Sequence, residues 1–154
     1  MTRLPKLHLE KFLPYRLSVL SNTVSSAIAA AYFMNFGLSI PEWRVMAVLA
    51  ANPGLSAAEV TARTAMDKVA VSRAVAALLG AGRLHRTTAP ADRRRTHLAL
   101  TRAGERVYSR VVPMALEYER ALIAPLDKRD RAALDRLVRV LLGRAVEIGP
   151  AHAD

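Results

Sequence analysis

A change of hydrophobic period near residue 82 limits the folds that are open to this chain. Upstream, apolar residues recur every three or four positions, as they do on amphipathic helices. Downstream, Arg83–Thr87 and Thr96–Leu100 alternate polar and apolar residues, as short strands do. Gly80-Ala81-Gly82 is a helix-ending sequence between the two regimes. The pattern predicts a mainly α fold that carries one two-stranded hairpin.

Six helices are expected around this hairpin, and each has a recognisable start. Proline is tolerated in a first turn, and Ser/Thr/Asp side chains can accept from free N–H groups at helix starts. The marks are Pro14, the capping boxes Ser39-x-x-Glu42 and Ser56-x-x-Glu59, and the capping residues Asp67, Thr101 and Asp127. Helices three and four, joined by Thr64-Ala65-Met66, form a helix-turn-helix, and the hairpin makes it a winged helix-turn-helix.

The positive charge of the chain is concentrated beside this motif. The formal net charge is +10, and residues 60–110 hold eleven basic and only three acidic residues. Solubility does not require most of the excess charge in one third of a chain. A basic block inside a folded domain therefore indicates a polyanionic partner.

Enzyme function is not expected, because no catalytic constellation is present. The chain has no cysteine, so it has no thiolate zinc site or thiol switch, and its four histidines lack metal-ligand spacing. His85 and His97 could face each other across the hairpin, where a cross-strand pair beside DNA is a better interpretation than a catalytic or metal site. No metal or cofactor is expected.

The first and last helices have more apolar surface than one small domain can cover. A symmetric homodimer through residues 9–36 and 101–148 would bury it, although packing within one monomer is an alternative. Residues 1–154 are expected to form one domain, with the DNA-binding lobe at 39–100. Apolar runs look too short to span a bilayer and no secretory signal is evident, so a soluble cytoplasmic protein is expected.

These elements, in this order, resemble the MarR family of transcriptional regulators. The resemblance is carried by AMDKVAVSRAVAALLGAGRLHR and ADRRRTHLALTRAGE, which match the family pattern D-K-x-x-V-S-R, then D-x-R in the wing, then L-x-L-T-x-x-G. It covers roughly residues 10–147. Two residues depart from the family pattern: Ala65, where a turn glycine is usual, and Thr61, where a small alanine is usual. With alanine at position 65, the turn is expected to have no positive φ there.

The resemblance implies how double-stranded DNA is bound. Lys68, Ser72 and Arg73 are on the first turns of the recognition helix, which would enter the major groove; Arg73 could instead contact a phosphate. Arg94 would enter a narrow minor groove with Asp92 as its brace, while Arg93 and Arg95 would contact phosphates or solvent.

The resemblance also implies a repressor that is released from a palindromic operator by a small aromatic acid. The candidate pocket residues are Tyr15, Arg16, Asn22, Trp43, Met46 and Tyr118. Each has a structural alternative: Trp43 and Met46 could be core, and Arg16 could pair with an acidic neighbour. The openings FLPYRLSVLSNTVSSAI and SIPEWRVMAVL are similar to a branch that senses hydroxycinnamoyl-coenzyme A esters, for which Lys11 and Arg16 would supply charge. A constitutive winged-helix DNA-binding protein, or an RNA-binding protein, without an effector is the alternative function.

Overall fold

The capping residues predicted from the sequence mark the starts of four helices. The structure is a computed structural model that describes residues 5–89 and 92–149. The Ser39 and Ser56 side chains accept from the N–H groups of Glu42 and Glu59, and both boxes are closed by the glutamate carboxylates. The Asp67 and Asp127 side chains likewise accept from the N–H groups of Ala70 and Asp130, at the starts of the helices that begin at Lys68 and Lys128. These four expected starts are thus confirmed by side-chain hydrogen bonds, while the first α-helix has Pro14 in its first turn, as expected, but no side-chain cap.

The described residues form six α-helices and two strands, as the sequence predicts. The helices are α1 (Leu13–Phe36), α2 (Ile40–Ala51), α3 (Ala57–Arg63), α4 (Lys68–Gly80), α5 (Arg102–Ile123) and α6 (Lys128–Ile148). The strands are β1 (Leu84–Ala89) and β2 (Asp92–Leu100), and a single 3-10 turn (Leu9–Lys11) precedes α1. The fold is a winged helix-turn-helix between long terminal helices.

The hairpin differs from the expectation at its outer end. Its strands pair antiparallel from Leu84–Leu100 to Thr88–Thr96, but Ala89 pairs with Asp92. The backbone of residues 92–95 is therefore part of β2 and not of a connecting loop. The register shifts between Thr88 and Ala89, so the three arginines fall between the paired positions Asp92 and Thr96. Pro90, which was expected in the loop, lies outside the described residues.

A third short segment joins the hairpin, which the sequence analysis missed. The Leu98 N–H donates to the Leu55 carbonyl at 2.8 Å, and the Gly54 N–H donates to the Leu98 carbonyl at 2.9 Å. His97 Nδ1 lies 2.6 Å from the Gly54 carbonyl oxygen and must donate to it. The segment after α2 is thus tied to the wing.

The expected histidine pair is not formed across the strands. His85 pairs with Ala99, and His97 pairs with Thr87, so the two histidines are offset by two residues along the ladder. In an antiparallel pair, the side chains of directly opposite residues are closer to each other than those of diagonal residues. The register therefore places the two rings diagonally, and His97 uses its ring on Gly54 instead.

The chain divides into two compact units, Met1–Met114 and Ala115–Asp154. The core of the first is apolar, and among the described residues no polar side chain is buried. Its fully buried members include Leu38, Val45, Met46, Leu49, Val60, Val71, Leu78, Leu98 and Val111. α6, in the second unit, has no buried residue.

The terminal helices expose long apolar stripes. Leu13, Leu17 and Leu20 on α1 are each about half exposed, as are Leu134, Leu137, Val138 and Leu141 on α6. By length and composition alone, α1 is apolar enough to cross a membrane, which corrects the expectation that the apolar runs are too short. Serines, Asn22 and Thr23 interrupt the runs, but the helix average stays apolar. The stripes need a partner surface.

Candidate nucleic-acid interface

The helix α4 has one buried and one exposed side. Val71, Ala74, Val75 and Leu78 point into the core. Lys68, Ser72 and Arg73, the three predicted major-groove residues, are exposed on its first two turns. The Asp67 carboxylate accepts from the Ala70 N–H at 2.8 Å, which fixes where the helix begins and thus which residues form its first turn.

The turn between α3 and α4 accommodates both departures from the family pattern. Among the described residues no residue other than glycine has a positive φ, so Ala65 occupies ordinary backbone, as expected. The Thr61 hydroxyl donates to the Ala57 carbonyl at 2.9 Å within α3. A shallow cleft of about 320 Å³ between α3 and α4 is lined by Thr61, Lys68 and Ser72 among others.

The wing presents its four candidate residues at the outer end of β2. Asp92, Arg93, Arg94 and Arg95 are placed here by the backbone register, and their side chains lie outside the described part of the structure. The hairpin follows α4 after only three residues, because Ala81 ends the helix and Gly82 takes a left-handed φ of 67°. The recognition helix and the wing are therefore joined by a short, defined connection.

Three arginines of the basic block are used inside the protein. Arg83 donates to the carbonyl of Phe36 at 2.7 Å, which caps the end of α1, and the Arg110 guanidinium stacks over the Phe36 ring at 5.4 Å. Arg63 donates to the side chain of Asn52 at 2.8 Å. Sequence reasoning missed these roles, since Arg83 and Phe36 are 47 positions apart.

The motif L-x-L-T-x-x-G joins the wing to α5. Thr101 donates through its hydroxyl to the Gly82 carbonyl at 2.6 Å and accepts from the Gly104 N–H at 3.0 Å. The Thr101 N–H donates to the carbonyl of Arg83 at 3.0 Å. Gly104 is buried, and a Cβ there would overlap the Arg83 carbonyl oxygen. The glycine thus allows α5 to pack directly on the backbone that starts the wing.

The candidate effector residues are not all brought together. Tyr15 and Arg16 line one open depression of about 480 Å³ on α1, together with Glu10, Val19, Leu20 and Thr23. Asn22 is exposed but does not line it. Met46 is fully buried, so a ligand cannot touch it without opening the core. Tyr118 belongs to the second unit.

Trp43 is the centre of an aromatic stack that connects α1, α2 and α5. Its ring lies 5.6 Å from Tyr32 at an interplanar angle of 63°, and 5.5 Å from Tyr108 at 22°. Such edge-on and stacked geometries are the favourable ones for aromatic pairs. Burial raises the pKa of Tyr32, so its phenol stays neutral under ordinary conditions. Trp43 is thus half-buried between two tyrosines.

Comparison with known proteins agrees with this geometry. The family model described as MarR family matches residues 36–95, which include α2, the helix-turn-helix and the start of β2. The transcriptional regulator HosA of Escherichia coli O111:H- is 24% identical over 105 residues, covering 68% of this chain and 78% of HosA. The chain is thus similar to the MarR family over residues 36–95 and to one transcriptional regulator over about two thirds of its length.

Solved structures of DNA-binding regulators share the fold over most of the chain. A MarR/EmrR family regulator from Acinetobacter sp. ADP1 superposes with a TM-score of 0.83 at 24% identity, covering 90% of this chain and 97% of that one. PcaV of Streptomyces coelicolor, solved with its natural ligand, gives 0.75 at 24% identity over 91% and 98% of the two chains. BpsR of Bordetella bronchiseptica, whose DNA binding is regulated by 6-hydroxynicotinic acid, gives 0.79 at 23% identity over 89% and 97%.

Proposed function

We propose that this protein is a cytoplasmic repressor that binds a palindromic operator as a homodimer and releases it when a small aromatic ligand binds. The observation that carries the proposal is the exposed start of α4, with Lys68, Ser72 and Arg73, followed closely by an arginine-rich wing. A recognition helix reads base edges with its N-terminal turns, and a wing arginine reads minor-groove width. The lobe at 39–100 would thus contact both grooves.

Dimerisation is proposed through α1, α5 and α6. The stripe on α6 formed by Leu134, Leu137, Val138 and Leu141 is about half exposed in a single chain, and so is the stripe on α1. A second copy offers the same apolar surface, so a two-fold contact can bury both stripes at once. A second copy of the chain covering α1 also explains why this helix is apolar without requiring a membrane.

We expect the double variant Leu137→Glu and Leu141→Glu to be monomeric. Each carboxylate would be desolvated in the proposed interface, so the dimer should weaken at least 100-fold. Affinity for a palindromic operator should fall with it, because each monomer can occupy only one half-site. Light scattering after size exclusion measures the mass, and fluorescence anisotropy measures DNA binding.

Ala132→Glu is the matched control for charge on the same helix. Ala132 is exposed on the side of α6 that faces away from the leucine stripe, so this variant should remain dimeric and bind DNA normally. A double variant that stays dimeric at micromolar concentration would contradict the interface. If the double variant and Ala132→Glu each remain dimeric and each bind lipid vesicles, α1 contacts lipid instead of a second copy of the chain.

The effector is proposed to bind at the depression on α1. Arg16 supplies the cation that a carboxylate or a phosphate requires, and Tyr15, Val19 and Leu20 supply an apolar surface for a ring. BpsR and PcaV support a small ligand for this fold, and 6-hydroxynicotinic acid is itself an aromatic acid. Among the other candidate effector residues, Trp43 is partly exposed and contacts Tyr32 of α1 and Tyr108 of α5. Lys11 adds charge for a CoA ester.

Calorimetry with p-coumaroyl-CoA and with free p-coumaric acid tests this effector class. We expect saturable heat from one of them and a loss of at least tenfold in affinity for Arg16→Ala, because a charge-assisted contact is removed. Operator binding should weaken when the same compound is added. Absence of heat from both compounds would end the hydroxycinnamoyl hypothesis, and a footprint that no aromatic acid changes would favour the constitutive DNA-binding protein.

A further inference from the structure

Val69 is exposed in a part of the protein where other large apolar side chains are covered. It is 58% exposed, and among the described residues from 35 to 115 it is the sole large hydrophobic side chain in the exposed class. The other exposed ones lie before residue 35 or after residue 115, on or beside the terminal helices. A single exposed valine is ordinary by itself, so its position must supply the argument.

That position is the middle of the outward side of α4. At about 100° per residue, Val69 lies opposite the buried side formed by Val71, Val75 and Leu78. Ser72, Arg73 and Ala76 lie three, four and seven residues further and share its side of the helix. If α4 enters the major groove, Val69 faces the bases.

The side chains around Val69 allow a close approach to the bases. Ser72, Ala76 and Ala77 are short and exposed, so the helix axis can lie deep in the groove. Only Lys68, Ser72 and Arg73 on this side carry hydrogen-bonding groups, which limits the number of base edges that can be read by polar contacts. The remaining contacts must be apolar.

The major groove presents one apolar group, the C5-methyl of thymine. We propose that Val69 is a specificity-determining residue that packs on one or two thymine methyl groups in each operator half-site. The operator would then place thymine, and not cytosine, where the first turn of α4 meets the bases. This inference rests on the proposed DNA-binding function and adds the base that the helix selects.

Uracil substitution tests the contact, because it removes the methyl group and leaves the base pairing intact. The intact protein first selects its operator from random double-stranded DNA. Each thymine of one half-site is then replaced by deoxyuridine, and affinity is measured by anisotropy. We expect one or two substitutions to weaken wild-type binding about threefold to fivefold, the value of one buried methyl group.

The same substitutions should cost Val69→Ala less than about twofold, since its methyl contact is already lost. Val140→Ala is the matched control: Val140 is 59% exposed on α6, and its loss should leave the uracil penalty unchanged. Circular dichroism should show all three proteins folded, as both valines are exposed.

The outcomes separate this inference from the proposed function. If no uracil weakens wild-type binding, or if the full penalty persists in Val69→Ala, the assignment of the methyl contact to Val69 is overturned while DNA binding stands. If selection enriches no sequence, the proposed function fails, and the role of Val69 falls with it.

Discussion

Arg94→Ala is expected to abolish the operator complex in a gel shift without unfolding the protein. The narrow minor groove has the most negative potential of the duplex, and one extended arginine can enter it. A dimer would carry two wings, so the substitution removes this contact twice. At about 1–3 kcal/mol for each of the two contacts, the affinity should fall about 30-fold or more.

The structure strengthens this expectation by reducing the number of arginines that are free to compensate. Arg63, Arg83 and Arg110 belong to the basic block, but they bind Asn52 or the end of α1. The backbone of residues 92–95 belongs to β2, in which Asp92 pairs with Ala89 and the three arginines fall between the paired positions Asp92 and Thr96.

Arg93→Ala and Arg95→Ala are the matched controls on the same strand. Each should lower affinity modestly and uniformly across DNA sequences, and should reduce the dependence on salt, because each is proposed to contact a phosphate or solvent. Full-strength operator binding by Arg94→Ala would refute the wing assignment. Equal losses for all three variants would show that the arginines act only as charge.

Gly104→Ala is expected to lower the free energy of unfolding by about 1–3 kcal/mol, although it adds only one methyl group. The added Cβ would overlap the Arg83 carbonyl oxygen and lie 3.2 Å from Leu100 Cδ2, both in the seam between α5 and the wing. Backbone atoms there cannot rotate away as a long side chain could. Urea denaturation followed by circular dichroism measures the change.

Gly80→Ala is the control, because Gly80 is also helical but has no atom within 4 Å of an added Cβ. Alanine is the better helix former, so this variant should be as stable as the wild type or more stable by up to about 1 kcal/mol. If Gly104→Ala also proves neutral, α5 does not pack on the Arg83 backbone as closely as the structure indicates.

The local parts of the fold could be predicted from the sequence because short-range chemistry determines them. The capping serines and aspartates fixed the helix starts, and the period change located the hairpin. The exposed side of α4 followed from the same helical period, and Lys68, Ser72 and Arg73 are all exposed.

Long-range contacts could not be predicted in this way. Pairing of Leu55 with Leu98 depends on two segments 43 residues apart, and the Gly54-Leu55 stretch carries no strand pattern of its own. Arg83 looked like part of a DNA-binding charge cluster, but its partner Phe36 is distant in sequence. Met46 is fully buried whereas Tyr15 and Arg16 line an open depression, and the period along each helix does not show which of these residues a ligand can reach.

The stack around Trp43 has a practical consequence for following this protein in solution. Trp43 is the single tryptophan of the chain, and its ring is held between residues of α1 and α5. Its emission therefore comes from one known place, where three helices of the first unit meet. Any ligand that shifts α1 against α5 must change the packing on at least one side of the indole. The protein thus carries its own optical probe, and helix movement can be read in real time without a label.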